Sequence, residues 1–249
     1  PDSGSVVLDD LDVFAHPTEL RRKLGYLPQE FGSYPRTSPL AMLNHLAILK
    51  GILRAGERTE QVEALLQQTN LWDVRRKSID TFSGGMRQRV IVAIALASNP
   101  KLVIADEPTT ALDVTIQSLI LKLMKRLVKE HRTAMILITH DLAVVSEMTD
   151  KIMVMYCGRI VEKGTRDDII NRCRHPYTIG LLGSIPKLAS RQKRLFQIPG
   201  MVPNIMNLPP GCSFAPRCDY AKDRCRTVHP ELADIEPGHE TACYYPVER

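Results

Sequence analysis

The chain has 249 residues, with 44% hydrophobic residues, 24% charged residues and a formal net charge of +5. This balance excludes a chain disordered throughout, and the length suits one sizeable domain with an extension or two small domains. Apolar runs are interrupted by charge before they could cross a bilayer. The positive charge fits anionic partners in general, while an aromatic content of only 5% argues against a stacking platform for nucleic acid.

In chain order, Ser5 to Leu8 and Leu24 to Leu27 are short strand signals, and Pro28 closes the second. Pro39 to Leu49 has helical spacing, carried by Leu40, Leu43, Leu46, Ala47 and Leu49. Glu57 to Gln68 predicts a second helix with Val62, Leu65 and Leu66 on one face. Thr81 to Gly85 reads as a turn, and Met86 to Ala97 as an apolar helix ended by Asn99-Pro100. Leu102 to Ala105 and Ala134 to Ile138 are compact buried strands joined by a helix from Val114 to Glu130. Strand, helix, strand at this length is a βαβ unit, so the fold class is α/β with a mostly parallel sheet. Ile152 to Tyr156 and Arg159 to Glu162 flank Cys157-Gly158 as a hairpin. After about Asn171 periodicity fades and Pro, Gly, Cys and His become frequent, so a domain boundary is placed there: 1–171 and 172–249.

Four short segments carry chemistry. Leu102-Val103-Ile104-Ala105 delivers Asp106 and Glu107 at the C-terminal end of a parallel strand, where open α/β sheets bind ligands. Asp106 can hold Mg²⁺ through its water shell, and Glu107 can orient or deprotonate a water; a solvated acidic turn is the alternative. Ser83, Gly84, Gly85 and Gln88 open a helix whose N-terminus suits an anion, although an N-cap serine with a flexible turn reads the same way. His140 follows the Ile136 to Ile138 strand and can hydrogen-bond a terminal phosphate or its attacking water. Gln29, just past the Leu24 to Leu27 strand, can touch a metal shell and water.

Taken together, in this order and at these strand ends, the set resembles the ATP-binding cassette family. Ser83-Gly84-Gly85-Met86-Arg87-Gln88 is similar to its signature motif, and Asp106-Glu107 to the Walker B aspartate and catalytic glutamate. Ala111-Leu112-Asp113 resembles the D-loop, His140 the switch histidine and Gln29 the Q-loop glutamine. The resemblance covers residues 1 to 170. It implies ATP and Mg²⁺ as cofactors and two such ATPase subunits sandwiching two nucleotides. It also implies membrane permease partners, a peripheral place at the cytoplasmic face of the cell membrane, and no nucleic acid.

The phosphate-loop pattern G-x-x-x-x-G-K-[ST] occurs nowhere in the 249 residues. In the family a segment like Pro1-Asp2-Ser3-Gly4 follows the phosphate-loop helix. The resemblance therefore implies a chain that starts downstream of that loop, with its native start elsewhere, core surface exposed and little activity alone.

Cys212, Cys218, Cys225 and Cys243 are spaced C-x₅-C-x₆-C-x₁₇-C. Four cysteines on a loop-rich segment suit zinc or an iron–sulfur cluster, with free thiols as the alternative. His175-Pro176-Tyr177-Thr178 and Gly211 to Cys218 resemble the C-terminal region of oligopeptide and dipeptide importer ATPases, as does Asp106 to Thr115. Some members of that group carry a four-iron, four-sulfur cluster, which the resemblance implies for the four cysteines. Leu24 to Glu30 and Tyr34 to Gly51 are instead more similar to exporter-type ATPases, which leaves the direction of transport open. The competing readings are a soluble cassette ATPase of the DNA-repair type, against which stands the lack of a sustained heptad run, and an inactive metal-binding remnant.

Overall fold

The computed structural model describes residues 4–29, 32, 36–185 and 197–248. Pro1, Asp2 and Ser3, and within the exporter-like stretches Glu30 and Tyr34, lie outside the described residues. The chain forms two compact units, Pro1–His140 and Asp141–Arg249.

The first unit opens with β1 (Val7–Leu8) and β2 (Leu11–Asp12), an antiparallel hairpin. Its turn residues Asp9 and Asp10 have φ of 52° and 64°, the left-handed pair that lets a two-residue turn follow the strand twist. Helix α1 (Pro17–Lys23) follows, with Pro17 and Glu19 in its first turn and basic residues in its last. Helical periodicity does not reveal α1, because it buries no side chain. Then come β3 (Leu24–Leu27), α2 (Pro39–Leu49) and α3 (Ala55–Gln68). Ser38 caps α2 and Pro39 occupies its first turn, which fixes that helix start.

Helix α4 (Gly84–Leu96) starts two residues before the expected Met86, because the Ser83 hydroxyl accepts from the Met86 N–H and draws the glycines into the first turn. Strand β4 (Leu102–Asp106), helix α5 (Val114–Glu130) and strand β5 (Ala134–Ile138) form the βαβ unit. The sheet order is β3-β4-β5, all parallel, with Leu27 opposite Ala105 and Asp106 opposite Ile138.

One face of this sheet, carrying Leu27, Val103 and Ala105, is buried. Gly25 lies on the same face, and a β-carbon there would run into the Ala95 carbonyl of α4, so this strand position has room only for glycine. Helix α5 buries Ile120, Leu121, Leu123, Met124 and Leu127 along one stripe. The opposite sheet face lacks such cover: Tyr26 and Ile136, which flank Ile104 in register, and Ile138 are each about half exposed.

In the second unit α6 (Leu142–Met148) precedes β6 (Lys151–Tyr156) and β7 (Arg159–Thr165), which form the expected hairpin through Cys157-Gly158. Then come α7 (Arg166–Asn171), α8 (Pro176–Gly183), α9 (Asp223–Thr227), β8 (Ala233–Glu236) and β9 (His239–Thr241). The sheet order is β6-β7-β9-β8, all antiparallel, so C-terminal strands extend the sheet begun by the hairpin. The boundary drawn after Asn171 falls inside this unit. Tyr156, Tyr177 and Phe214 meet at ring-centroid distances of 4.6 to 5.3 Å, joining strand, helix and C-terminal loop in one core.

Glu162 of β7 is fully buried. Its carboxyl accepts from the backbone N–H of Arg174 at 2.5 Å and of His175 at 3.2 Å, and meets His239 Nε2 at 2.9 Å. Replacing Glu162 by Ala strands these buried groups together, at a cost of about 3 kcal/mol or more. Denaturant unfolding of Glu162→Ala is expected to show that loss; a change within ~0.5 kcal/mol would contradict it.

Candidate functional site

The first unit brings Glu107 and His140 together. The parallel ladder runs one rung past β4: the Glu107 N–H donates to the Ile138 carbonyl at 2.9 Å. Glu107 takes a left-handed φ of 46°, which turns its side chain across the end of β5. There Oε1 accepts from the His140 backbone N–H at 3.0 Å, and His140 Nδ1 lies 2.6 Å from the same oxygen. Oε2 accepts from the hydroxyls of Thr110 and Thr139, both at 3.3 Å.

Burial works to raise the Glu107 pKa. It is outweighed by the His140 side chain, the His140 N–H and the Thr139 hydroxyl, so the carboxyl sits below its ordinary value and is ionised at neutral pH. The His140 side chain is 84% exposed and that of Glu107 only 19%, so the imidazole is the solvent-facing half of the pair. An ionised carboxylate beside an imidazole can hold and deprotonate a water while the imidazole donates to an anion.

The other predicted residues lie at the ends of neighbouring elements. Asp106 ends β4 and accepts from the Tyr26 hydroxyl at 3.3 Å. Gln29 is exposed two residues beyond β3. Ser83 is the exposed cap of α4, and Gly84 and Gly85 form its first turn. A β-carbon on Gly85 would come within 2.8 Å of Ile116 Cγ2, so α4 and α5 pack too closely there for any larger residue. The Gln88 amide donates to the Pro108 carbonyl at 2.5 Å. Asp113 caps α5, accepting from the Ile116 N–H at 2.9 Å. Thr110, Thr139 and the Gln88 partner were not predicted; a hydroxyl next to His140 was the one sequence signal for them.

In the second unit Cys212, Cys218, Cys225 and Cys243 line one cavity with His175, Phe214, Tyr244 and Tyr245. Backbone N–H groups reach the sulfurs: Phe214 and Ala215 to Cys212, Tyr220 to Cys218, and Tyr245 to Cys243. Burial pushes the Cys212 and Cys218 thiols up and carries Cys243 to about 11, against these donors. Three of the four sulfurs, those of Cys212, Cys218 and Cys243, thus accept backbone N–H bonds, which favour a thiolate, while burial opposes one. Asp168, Glu236 and His239 also offer ligand atoms within 4.8 Å of one another, but Arg172 pairs with both carboxylates and Arg174 with Glu236. That cluster is an ion-pair network.

Comparison with known proteins finds matches in both units. The ABC transporter family matches residues 1–110, and the oligopeptide/dipeptide transporter C-terminal region matches residues 161–225. The chain is 56% identical over 162 residues to the oligopeptide transport ATP-binding protein AppD of Bacillus subtilis (strain 168), covering 65% of this chain and 49% of that protein. It is 45% identical over 210 residues to the oligopeptide transport ATP-binding protein OppD of Salmonella typhimurium (strain LT2), covering 83% and 62%. A solved dimeric ATP-binding cassette in a post-hydrolysis state with ADP and phosphate superimposes with a TM-score of 0.58 at 29% identity, over 67% of this chain and 75% of that one. The chain thus spans about half to three-fifths of the length of these curated relatives. Residues 1–110 of the chain thus match the ATP-binding cassette transporter family.

His175 supplies a pH test of the cysteine cavity. Burial lowers its pKa from the ordinary 6.5 to about 4, against a hydrogen bond with the Ala242 backbone that raises it, while Nδ1 accepts from the Tyr177 N–H. The folded chain therefore keeps His175 neutral where the unfolded chain protonates it. Its contribution is complete above pH 6.5 and is lost as pH falls towards 4, by about 3 kcal/mol. Unfolding of His175→Gln across this window is expected to show a flatter pH dependence; an unchanged slope would count against the assignment.

Proposed function

We propose that this cassette chain is part of the ATP-hydrolysing subunit of a membrane transporter that imports peptides. The observation that carries the reading is the ionised Glu107 held against an exposed His140 at the ends of adjacent parallel strands. Peptide as cargo, and import as direction, are supported by the match of residues 161–225 to the oligopeptide/dipeptide transporter region and by the names of the relatives. That match also disfavours a DNA-repair cassette.

In this reading Asp106 holds Mg²⁺ through water, and Gln29 senses the metal shell and the attacking water. Glu107 positions and deprotonates that water, and His140 donates to the transferring phosphoryl group. Ser83, Gly84 and Gly85 face a nucleotide held by a second ATPase subunit, with the Asp113 turn beside them. Permease subunits are the further partners, and the chain works peripherally at the cytoplasmic face of the membrane. Among the described residues no helix is long and apolar enough to cross a bilayer. The peptide-transporter match at residues 161–225 lies wholly within the second unit, so the extension shares a fold unit with the hairpin that precedes Asn171.

The sequence holds no phosphate loop, so the 249-residue chain alone is expected to bind ATP weakly and hydrolyse it negligibly. Tight, Mg²⁺-dependent binding in a nucleotide titration would overturn that expectation. Preceded by a phosphate-loop segment, the chain is expected to hydrolyse ATP. Glu107→Gln should then lower kcat by about 100-fold or more while nucleotide still binds. Undiminished turnover in that variant would remove Glu107 from the mechanism.

The four cysteines are assigned to a four-iron, four-sulfur cluster. Their convergence on one cavity and the N–H-bonded sulfurs of Cys212, Cys218 and Cys243 support a thiolate ligand set, and the resemblance to peptide-importer ATPases favours iron–sulfur over zinc. When bound, such a cluster would supply a one-electron redox centre or a rigid crosslink of the loop. Anaerobically purified protein is expected to be brown with absorbance towards the blue, and Cys225→Ser to lose it. Colourless protein containing zinc would favour the other metal.

A further inference from the structure

The half-buried Gln88 side chain leaves α4 one turn after its glycines, and its Nε2 donates to the Pro108 carbonyl at 2.5 Å. Pro108 directly follows Glu107. Its nitrogen is that of a tertiary amide and carries no N–H, so its carbonyl is the only backbone group through which this residue can be hydrogen-bonded in place. Glu107 itself has a φ of 46°, a conformation that costs a non-glycine residue about 1–3 kcal/mol and persists only when its surroundings hold it.

Among the described residues, three bonds hold that backbone. The Glu107 N–H donates to Ile138, the Thr110 N–H donates to the Glu107 carbonyl at 3.1 Å, and Gln88 donates to Pro108. The first belongs to the sheet and the second closes a local turn. Only the third comes from another helix, the one whose N-terminus carries Ser83, Gly84 and Gly85.

We infer that Gln88 is a positioning residue for Glu107, acting through the Pro108 carbonyl, rather than a phosphate ligand. Its amide is committed to the loop that carries the catalytic carboxylate. The helix that presents Ser83, Gly84 and Gly85 is thereby tied to the backbone next to Glu107. If the assignments of the proposed function hold, a shift of the Ser83 turn on contact with one nucleotide is passed to the carboxylate that acts on the other.

The test is amide hydrogen exchange on the 249-residue chain, without nucleotide. The His140 N–H, which donates to Glu107 Oε1, and the Thr110 N–H report whether Glu107 is held. Gln88→Met keeps length and shape but removes the donor; Gln88→Glu keeps shape and replaces the donor with an acceptor. Both are expected to speed exchange at His140 and Thr110 by about tenfold, with amides in the middle of α4, such as that of Val92, unchanged. A merely structural role would move α4 along with the loop.

Unchanged exchange at His140 and Thr110 in a folded Gln88→Met variant overturns the inference, as does acceleration confined to Gln88→Glu when Gln88→Met is folded. If Gln88→Met does not fold, Gln88→Glu decides. No nucleotide enters this measurement, so a failed exchange experiment and a failed ATPase assay point to different errors.

Discussion

The hydrogen bond from the Glu107 N–H to the Ile138 carbonyl fixes the site, because it continues the parallel register one residue beyond the last regular strand pair. With Asp106 opposite Ile138, that rung sets Glu107 beside the two residues that follow β5, Thr139 and His140. A one-residue slip of β5 against β4 would exchange the two faces of the strand and separate the carboxylate from the imidazole. The register is itself secured by packing. The buried face of Leu27, Val103 and Ala105 admits one alignment, and Gly25 lets α4 approach closely enough to cover it. Core packing, backbone register and the acid–base pair therefore depend on one another in sequence.

The second unit solves a different problem. Its C-terminal strands are short and its loops long, so apolar burial alone specifies the arrangement weakly. Specificity comes from buried polar acceptors instead. Glu162 on β7 satisfies two backbone N–H groups at the start of α8 and meets His239 of β9, which binds helix, hairpin and C-terminal strand at one point. The exposed pairs Arg172–Asp167 and Arg172–Glu236 add little by comparison, since solvent screens them.

The elements read correctly from sequence share one property: their periodicity was enforced by burial on one face. The bounds of α2 and α5 coincide with the expected ones, because their apolar stripes end where polar caps begin; β5 keeps its expected bounds as an apolar run, but none of its residues is buried, so the expected buried strand is only partly covered. Helix α1 buries no side chain, and β8 and β9 are too short to show alternation, so neither left a pattern to read. The site divides in the same way. Asp106, Glu107 and His140 were legible as strand-end residues, since an apolar run ending in a polar side chain marks a position. Thr110, Thr139 and the Gln88–Pro108 tie were not legible, because each depends on which loops meet after the sheet has closed.

At Ser83 a capping role and an anion-facing role need not compete, whereas at Asp113 they do. Ser83 was open to two readings, a helix cap or a group facing an anion, and Asp113 carried only the D-loop resemblance; each is a cap in the structure. Capping turns the side-chain oxygen towards the N–H groups of the first turn, the end at which the helix carries partial positive charge. An anion drawn to that end meets the same N–H groups and the same hydroxyl. Ser83 is exposed, and its bond to the Met86 N–H is long at 3.4 Å, so the cap can yield to a phosphate oxygen at little cost. Asp113 holds its N–H at 2.9 Å and bears a negative charge, so it is suited to fix the start of α5 and to repel an anion. The same local motif thus leaves one helix start open to an anion and closes the next with a fixed negative charge.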